Sequence, residues 1–296
     1  MTQNIAGVAR AAMLVDLNIR LYSGRKQDKT TQAEVTTAKG ANSKQAASVY
    51  KNLFANCAEL DAITKFQARA RSEHYRRTLP WSDNGQRLLP TSQFLEYTTA
   101  MGAFRQEFDT LVAAFVAKYD TLVAAAAFQL GTLFDRSEYL DGDKIAQRFA
   151  MELAYSPLPT SGDFRLDIES EVQGDLVRQY EARANEMLAQ ASQDSWTRLH
   201  GVLSKLSERL VVDKDGKKNV FHDTLVTNAE DLCDLLKDLN ITGDKDLERA
   251  RKRLQEALMG VTPKELREEL STRLDVKRQV DVMLESYDWG LDGLNN

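Results

Sequence analysis

Histidine and cysteine are scarce, three and two residues in a chain of 296. Neither Cys57 nor Cys233 belongs to a CxxC pair, which excludes a disulfide framework or a zinc ribbon. Both fall on apolar stripes, so buried thiols in a reducing compartment are expected. His74, His200 and His222 lie far apart and none sits in HExxH, and no Glu-x-x-His pair of the di-iron type occurs. GxSxG is missing as well. Gly40-Ala41-Asn42-Ser43-Lys44 has the residue types of a phosphate loop without its spacing, and reads as an ordinary helix start. Asp213-Lys214-Asp215-Gly216 resembles the middle of a calcium loop. Val211 and His222 stand where its first and twelfth ligands belong, so a hairpin turn is expected. These absences point away from an enzyme and give no cofactor or metal. No signal-type apolar core opens the chain, because Asp16 and Arg20 interrupt it, and no run approaches the roughly 20 apolar residues of a membrane span. A cytoplasmic protein is the expectation.

Proline is also rare, with five residues and none between Pro90 and Pro157. That gap holds the stretch around which the chain is organised. Phe94, Tyr97, Met101, Phe104, Phe108, Leu111, Phe115, Lys118, Leu122 and Ala125 follow one another in steps of three and four, with only Lys118 breaking the apolar series. This spacing predicts a helix from Ser92 to about Leu130 with a coiled-coil seam, roughly 55–60 Å long. A second long helix is expected from Leu166 to Leu210 on Val172, Leu176, Tyr180, Ala184, Met187, Ala191, Leu199, Val202, Leu206 and Leu210. A third is expected over Ser43–Arg71, with Val49, Leu53, Cys57, Leu60, Ile63 and Ala70 inward. Residues 15–22 alternate as a strand. Thr78–Trp81 and Gln86–Leu89 face each other across Asp83-Asn84-Gly85 as a hairpin, with Pro80 on an edge. Residues 27–42 read as loop, 142–155 as helix, and Ser156–Gly162 as linker. Val211–His222 reads as a second hairpin. Shorter helices fill the C-terminal part, over Asp223–Leu239, Asp246–Met259 and from the capping box at Thr262 to about Tyr287. The fold class is therefore mostly α: an elongated helical bundle with two long antiparallel helical hairpins and small β-hairpin caps. Residues 1–155 would form a hairpin with a three-stranded cap, and 163–296 the remainder.

Charge is unevenly spread. Residues 1–90 carry 14 Lys/Arg against 7 Asp/Glu, and the rest 25 against 37. Such a split suits a polyanion-binding face, head-to-tail self-association, or simply solvated faces. Arg20, Tyr22, Arg25 and Lys26 near the first strand, with Arg76, Arg77, Trp81 and Arg87 near the hairpin, form the candidate interaction surface. Cations interleaved with aromatics can hold phosphates and stack bases, which makes single-stranded nucleic acid one reading. A protein interface or homo-oligomer contact using the same arginines is the other. Arg249-Ala250-Arg251-Lys252-Arg253 lies among carboxylates at helical spacing, and reads as a salt-bridged solvated face.

Leu17-Asn18-Ile19-Arg20-Leu21-Tyr22-Ser23-Gly24-Arg25-Lys26 resembles the opening strand and SGRK turn of an uncharacterised family of bacteriophages and bacteria. Phe221 to Asn228, continuing through Leu239-Asn240-Ile241-Thr242, is similar to that family's C-terminal segment. The hairpin of that family is usually richer in glycine than Tyr75–Pro90. The resemblance implies no established activity. It implies gene neighbours of the MoxR-type AAA ATPase and von Willebrand A classes, and hence an adaptor role as the ATPase's protein partner in the host cytoplasm.

Overall fold

The computed structural model describes residues 5–43, 46–160 and 170–290, and is mostly helical. Helix α1 (Ile5–Ala11) runs straight into strand β1 (Ala12–Arg20), in which Leu14, Val15 and Ile19 are buried. Strand β2 (Arg25–Gln27) follows the turn at Gly24. The Thr-rich segment expected as loop contains helix α2 (Lys29–Ala38), because the Asp28 carboxylate accepts the Thr30 and Thr31 amides and caps it. The single helix expected over Ser43–Arg71 is instead strand β3 (Tyr50–Asn52) and helix α3 (Ala58–Arg77). Asn56, at φ 58°, turns the chain between them. Leu53, Cys57, Leu60, Ile63 and Ala70 are buried as their spacing predicts, although the first two reach the core from non-helical backbone, and Val49 is only partly buried.

Strands β4 (Leu79–Pro80) and β5 (Arg87–Pro90) form the predicted hairpin, with Gly85 at φ 94°. A 3-10 turn (Thr91–Gln93) then leads into α4 (Phe94–Leu130), and Pro90 rather than Ser92 stands at the cap of that turn. After the single turn α5 (Gly142–Ile145), residues expected to stay helical form strand β6 (Ala150–Pro157). Its Ala, Met, Glu and Leu are good helix formers. The open edge of β1 offers backbone partners, giving a sheet of order β4-β5-β1-β6, and overrides that preference. Pro80 lies on the edge strand, where its missing N–H costs nothing. Helices α6 (Ser170–Arg209), α7 (Thr224–Leu239), α8 (Lys245–Leu258), α9 (Pro263–Glu268) and α10 (Leu270–Ser286) complete the chain. The capping box is present: Thr262 Oγ1 accepts the Glu265 amide at 3.2 Å, and Glu265 Oε2 accepts the Thr262 amide at 2.7 Å. The helix it opens does not run through to Tyr287, because Glu269 is extended (ψ 110°) and separates α9 from α10. Lys44, the Ser161-Gly162 end of the expected linker, the helix start near Leu166 and the Gly293–Asn296 tail lie outside the described residues.

The chain divides into two compact units. The first comprises Met1–Asp16, Tyr75–Tyr97 and Ala154–Asn296. In its sheet β1 pairs antiparallel with β5 from Ala12↔Pro90 to Val15↔Arg87, and β5 with β4 at Leu79↔Leu88. Leu14, Leu79 and Leu88 join Leu199, Leu203 and Leu206 of α6, and Leu210 just beyond its end, in one core with Leu236 of α7, Leu254 of α8 and Val280 of α10. Each fully buried aliphatic side chain of this kind contributes about 1.5–3 kcal/mol. The second hairpin is reduced to one bridge, Val212↔Lys218, around Gly216.

The second unit comprises Leu17–His74 and Thr98–Leu153. Its core is aromatic. Phe54 meets Phe115 at 5.8 Å and Tyr139 at 5.4 Å, and Phe66 meets Phe108 at 5.5 Å. Tyr139 donates to Leu53 O at 2.9 Å and Tyr119 to Leu140 O at 3.0 Å, so both hydroxyls are satisfied. Of the predicted seam of α4, Tyr97, Met101, Phe108 and Phe115 are buried, while Phe94 is exposed and Phe104 and Leu111 are partly buried. After Phe115 the buried line leaves the seam: Tyr119, Val123 and Ala126 point inward, not Lys118, Leu122 and Ala125. The helical stretch Thr91–Leu133 also contains an 18-residue window of mean hydropathy 1.6, with 22% of it buried. By length and composition it can cross a membrane, which corrects the expectation that no such run exists.

Candidate interaction groove

The eight residues of the candidate surface divide between the units. Arg20, Tyr22, Arg25 and Lys26 belong to the second, and Arg76, Arg77, Trp81 and Arg87 to the first. Arg20 donates to Gln147 O at 3.3 Å. Tyr22 wedges edge-on against Phe54 and Phe149, and burial pushes its hydroxyl up to about 12. Arg25 lies 5.5 Å from the centre of the half-exposed Tyr50 ring, and Lys26 is exposed beside it. Arg77 holds Gln93 and Glu96 at 3.2 and 3.3 Å. Arg87 donates to Thr78 Oγ1 and Thr78 O and stacks 4.7 Å over Tyr75, and burial pulls its guanidinium below the usual value. Trp81 is 7% exposed and belongs to the core, so it offers no ring face to a base. Most of these aromatic and cationic groups are thus engaged in packing.

Arg76 and residues not expected at a surface site make a more open feature in the first unit. Arg198, Gly201, Val202 and Lys205 of α6 lie three and four apart, on one helix face. Asn228, Asp231, Leu232 and Leu235 of α7 repeat the same spacing. Together with Arg76 they line a groove of about 650 Å³. The partly buried Val202 and Leu232 supply its apolar surface over the buried Leu235, with Lys205 and Asp231 as charged groups on its two helices. Arg198 is held in place by Asp194 at 2.7 Å. It also donates to Tyr75 O, Arg76 O and Thr78 O at 2.6–2.9 Å, capping the end of α3 with a cation where the helix dipole is negative. A Cβ built on Gly201 would meet nothing within 4 Å, so no neighbour among the described residues requires glycine there. The 3/4 spacing on both helices was the available sequence signal. That α6 and α7 would lie side by side was not.

A second groove, of about 830 Å³, is lined by Arg249, Lys252, Arg253 and Glu256 of α8 with Trp196, Tyr287 and Asp288. Two of its cations are paired as the sequence predicts, Arg249 with Asp246 and Lys252 with Glu248 at 3.5 Å, while Arg253 lies 5.9 Å from the centre of the Tyr287 ring. Arg251 departs from that surface role. It is 4% exposed and makes two 2.8 Å bonds to Glu248, a third to Gln255 and a longer one to Cys233 O. Trp196, Tyr287 and Trp289 pack with ring centres 5.6–5.8 Å apart, and His200 lies 5.0 Å from Trp289. Asp213 spends its carboxylate on the Asp215 and Lys217 amides of its own turn. Among the described residues no three His, Cys, Asp or Glu side chains converge as metal ligands would. Compared with known proteins, the chain matches no family model, no curated protein and no solved structure.

Proposed function

We propose that the protein is a non-enzymatic interaction module whose α6–α7 groove docks an amphipathic helix of a partner protein. One observation carries the reading: two adjacent 3/4-spaced helix faces border a groove with apolar surface, the receptor half of helix-in-groove recognition. A partner helix with apolar residues three and four apart would cover Val202 and Leu232, and an acidic residue would meet Lys205. Gly201 would let its backbone approach closely. The resemblance of the Leu17–Lys26 and Phe221–Thr242 segments supports a phage adaptor acting in the host cytoplasm, with a MoxR-type AAA ATPase as the partner. The test is co-purification of that ATPase with the tagged full-length protein. Leu232→Glu and Lys205→Glu should each abolish capture without changing the circular dichroism spectrum. Capture indifferent to both changes, or no capture by the wild type, would remove the proposal.

Single-stranded nucleic-acid binding remains the alternative reading. Arg25 and Lys26 beside the exposed Tyr50 ring support it. A salt-sensitive gel shift lost on Arg25→Ala with Lys26→Ala would favour it, and no shift at low salt would exclude it.

A further inference from the structure

The outer face of α4 lies in the second unit and is independent of the α6–α7 groove. Thr110, Ala114, Ala117, Thr121, Ala124 and Phe128 follow at steps of four and three, and all six are exposed. At 100° per residue they stay within about 40° of the side opposite the buried Tyr119, over about 27 Å. Phe128 ends the line at 91% exposure, the largest value among the exposed large hydrophobics. A phenyl ring left in water at the end of an apolar helix face marks a surface that expects cover.

Charge decides what covers it. Lys118 flanks the line on one side and Asp120 on the other, and both are exposed. In a parallel pair related by a two-fold axis along the helices, opposite flanks meet. Lys118 of each copy then faces Asp120 of the other, while Phe128 meets Phe128 and Ala117 meets Ala117. An antiparallel pair would set Lys118 against Lys118 and Asp120 against Asp120. Lys118 already holds Glu59 at 2.6 Å within its own chain, which fixes the ammonium at the edge of this face. A bilayer suits the line less well, because these opposite charges sit halfway along it and would have to be desolvated. The small side chains also permit close approach of a second helix while offering lipid little area. We infer that the protein associates with a second copy of itself through this face of α4, the two helices parallel and in register.

Sedimentation equilibrium of the full-length protein should show a concentration-dependent dimer. Asp120→Lys, which sets lysine against lysine, should raise the dimer Kd at least about tenfold, and adding Lys118→Glu should restore association. Phe128→Ser should weaken it without unfolding, because the ring is solvent-exposed in the monomer. Since Cys57 and Cys233 are buried, Ala117→Cys alone should form an intermolecular disulfide on oxidation. Cross-linking only between Ala117→Cys and Thr121→Cys chains would establish the antiparallel arrangement and overturn the inference. So would a dimer indifferent to Asp120→Lys, or a protein that stays monomeric and instead floats with phosphatidylcholine–phosphatidylglycerol vesicles.

Discussion

Arg273 offers the sharpest energetic test of the first unit. It is 1% exposed. Its guanidinium donates to five backbone carbonyls: Leu210 at 3.0 Å, Leu266 at 3.1 Å, Arg209 at 2.7 Å, Val211 at 3.3 Å and Asn219 at 2.8 Å. Three of these carbonyls lie at the C-terminal end of α6, where the helix dipole is negative and the oxygens have no intrahelical partner. The Phe221 ring lies 5.5 Å from its Cζ. Arg273→Met keeps much of the length and apolar contact but removes every donor. Hydrogen bonds to a charged group contribute about 1.5–3 kcal/mol each on deletion, and relief of the buried charge's desolvation offsets part of the sum. A net loss of about 3–5 kcal/mol is expected. Arg273→Lys keeps the charge but gathers its donors on one nitrogen, which cannot span five oxygens, and should cost about 2 kcal/mol or more. Trp81, Trp196 and Trp289 all belong to the first unit, so tryptophan fluorescence during urea unfolding reads that unit directly. A midpoint shift worth less than about 1 kcal/mol for Arg273→Met, or a wild-type curve for Arg273→Lys, would refute this account.

Gly201→Ala should stabilise the first unit by about 0.5–1 kcal/mol, since alanine is the better helix former and its Cβ meets nothing. The same change should weaken capture of the partner helix, so thermal melting and co-purification move in opposite directions. Hydrogen bonds from Arg251 hold the Glu248 carboxyl below its usual 4.5. Its contribution to stability is therefore complete above pH 4.5 and is lost as pH falls through the depressed folded value. Glu248→Gln should flatten that acid limb in urea titrations run at successive pH values. Cys233 is 1% exposed and burial pushes its thiol up to about 11. Dithionitrobenzoate should label neither Cys233 nor the buried Cys57 until urea unfolds the chain, and prompt labelling of the native protein would contradict that burial.

The long helices, the capping box and the Asp-Asn-Gly hairpin were legible because local chemistry alone specifies them. Pro80, Gly85 and Thr262 each act within a few residues of themselves. The failures share one cause. β3 and β6 are strands made by partners remote in sequence, and Ala150–Leu153 carries residues that favour a helix wherever such a partner is missing. Burial survived the misassignment at Leu53 and Cys57, since hydrophobicity reports what is inside more faithfully than which backbone takes it there. Surface roles were harder to read. Trp81 and Arg251 look like exposed contact residues by type, and only the packing around them shows a core ring and a buried guanidinium held by Glu248. The α6–α7 groove joins two spacings that were each visible, through a juxtaposition that was not.

In α4 a small difference in helical period hides a surface. Alternating steps of three and four average 3.5 residues per turn, and a straight helix turns every 3.6, so the assumed line drifts by about 20° per heptad. From Phe94 to Ala125 the error grows to about 90°, close to the 100° that separates neighbouring residues. That is why the predicted seam ends on Lys118, Leu122 and Ala125, each one residue short of the buried Tyr119, Val123 and Ala126. With Lys118 placed in the seam it is only an interruption, and nothing distinguishes the other side of the helix. Moved one residue, the buried line runs through Tyr119, and Lys118 and Asp120 become the two flanks of an outward line ending at Phe128. The helix then has two apolar faces: one is satisfied inside the second unit, and the charges beside the other select a parallel copy.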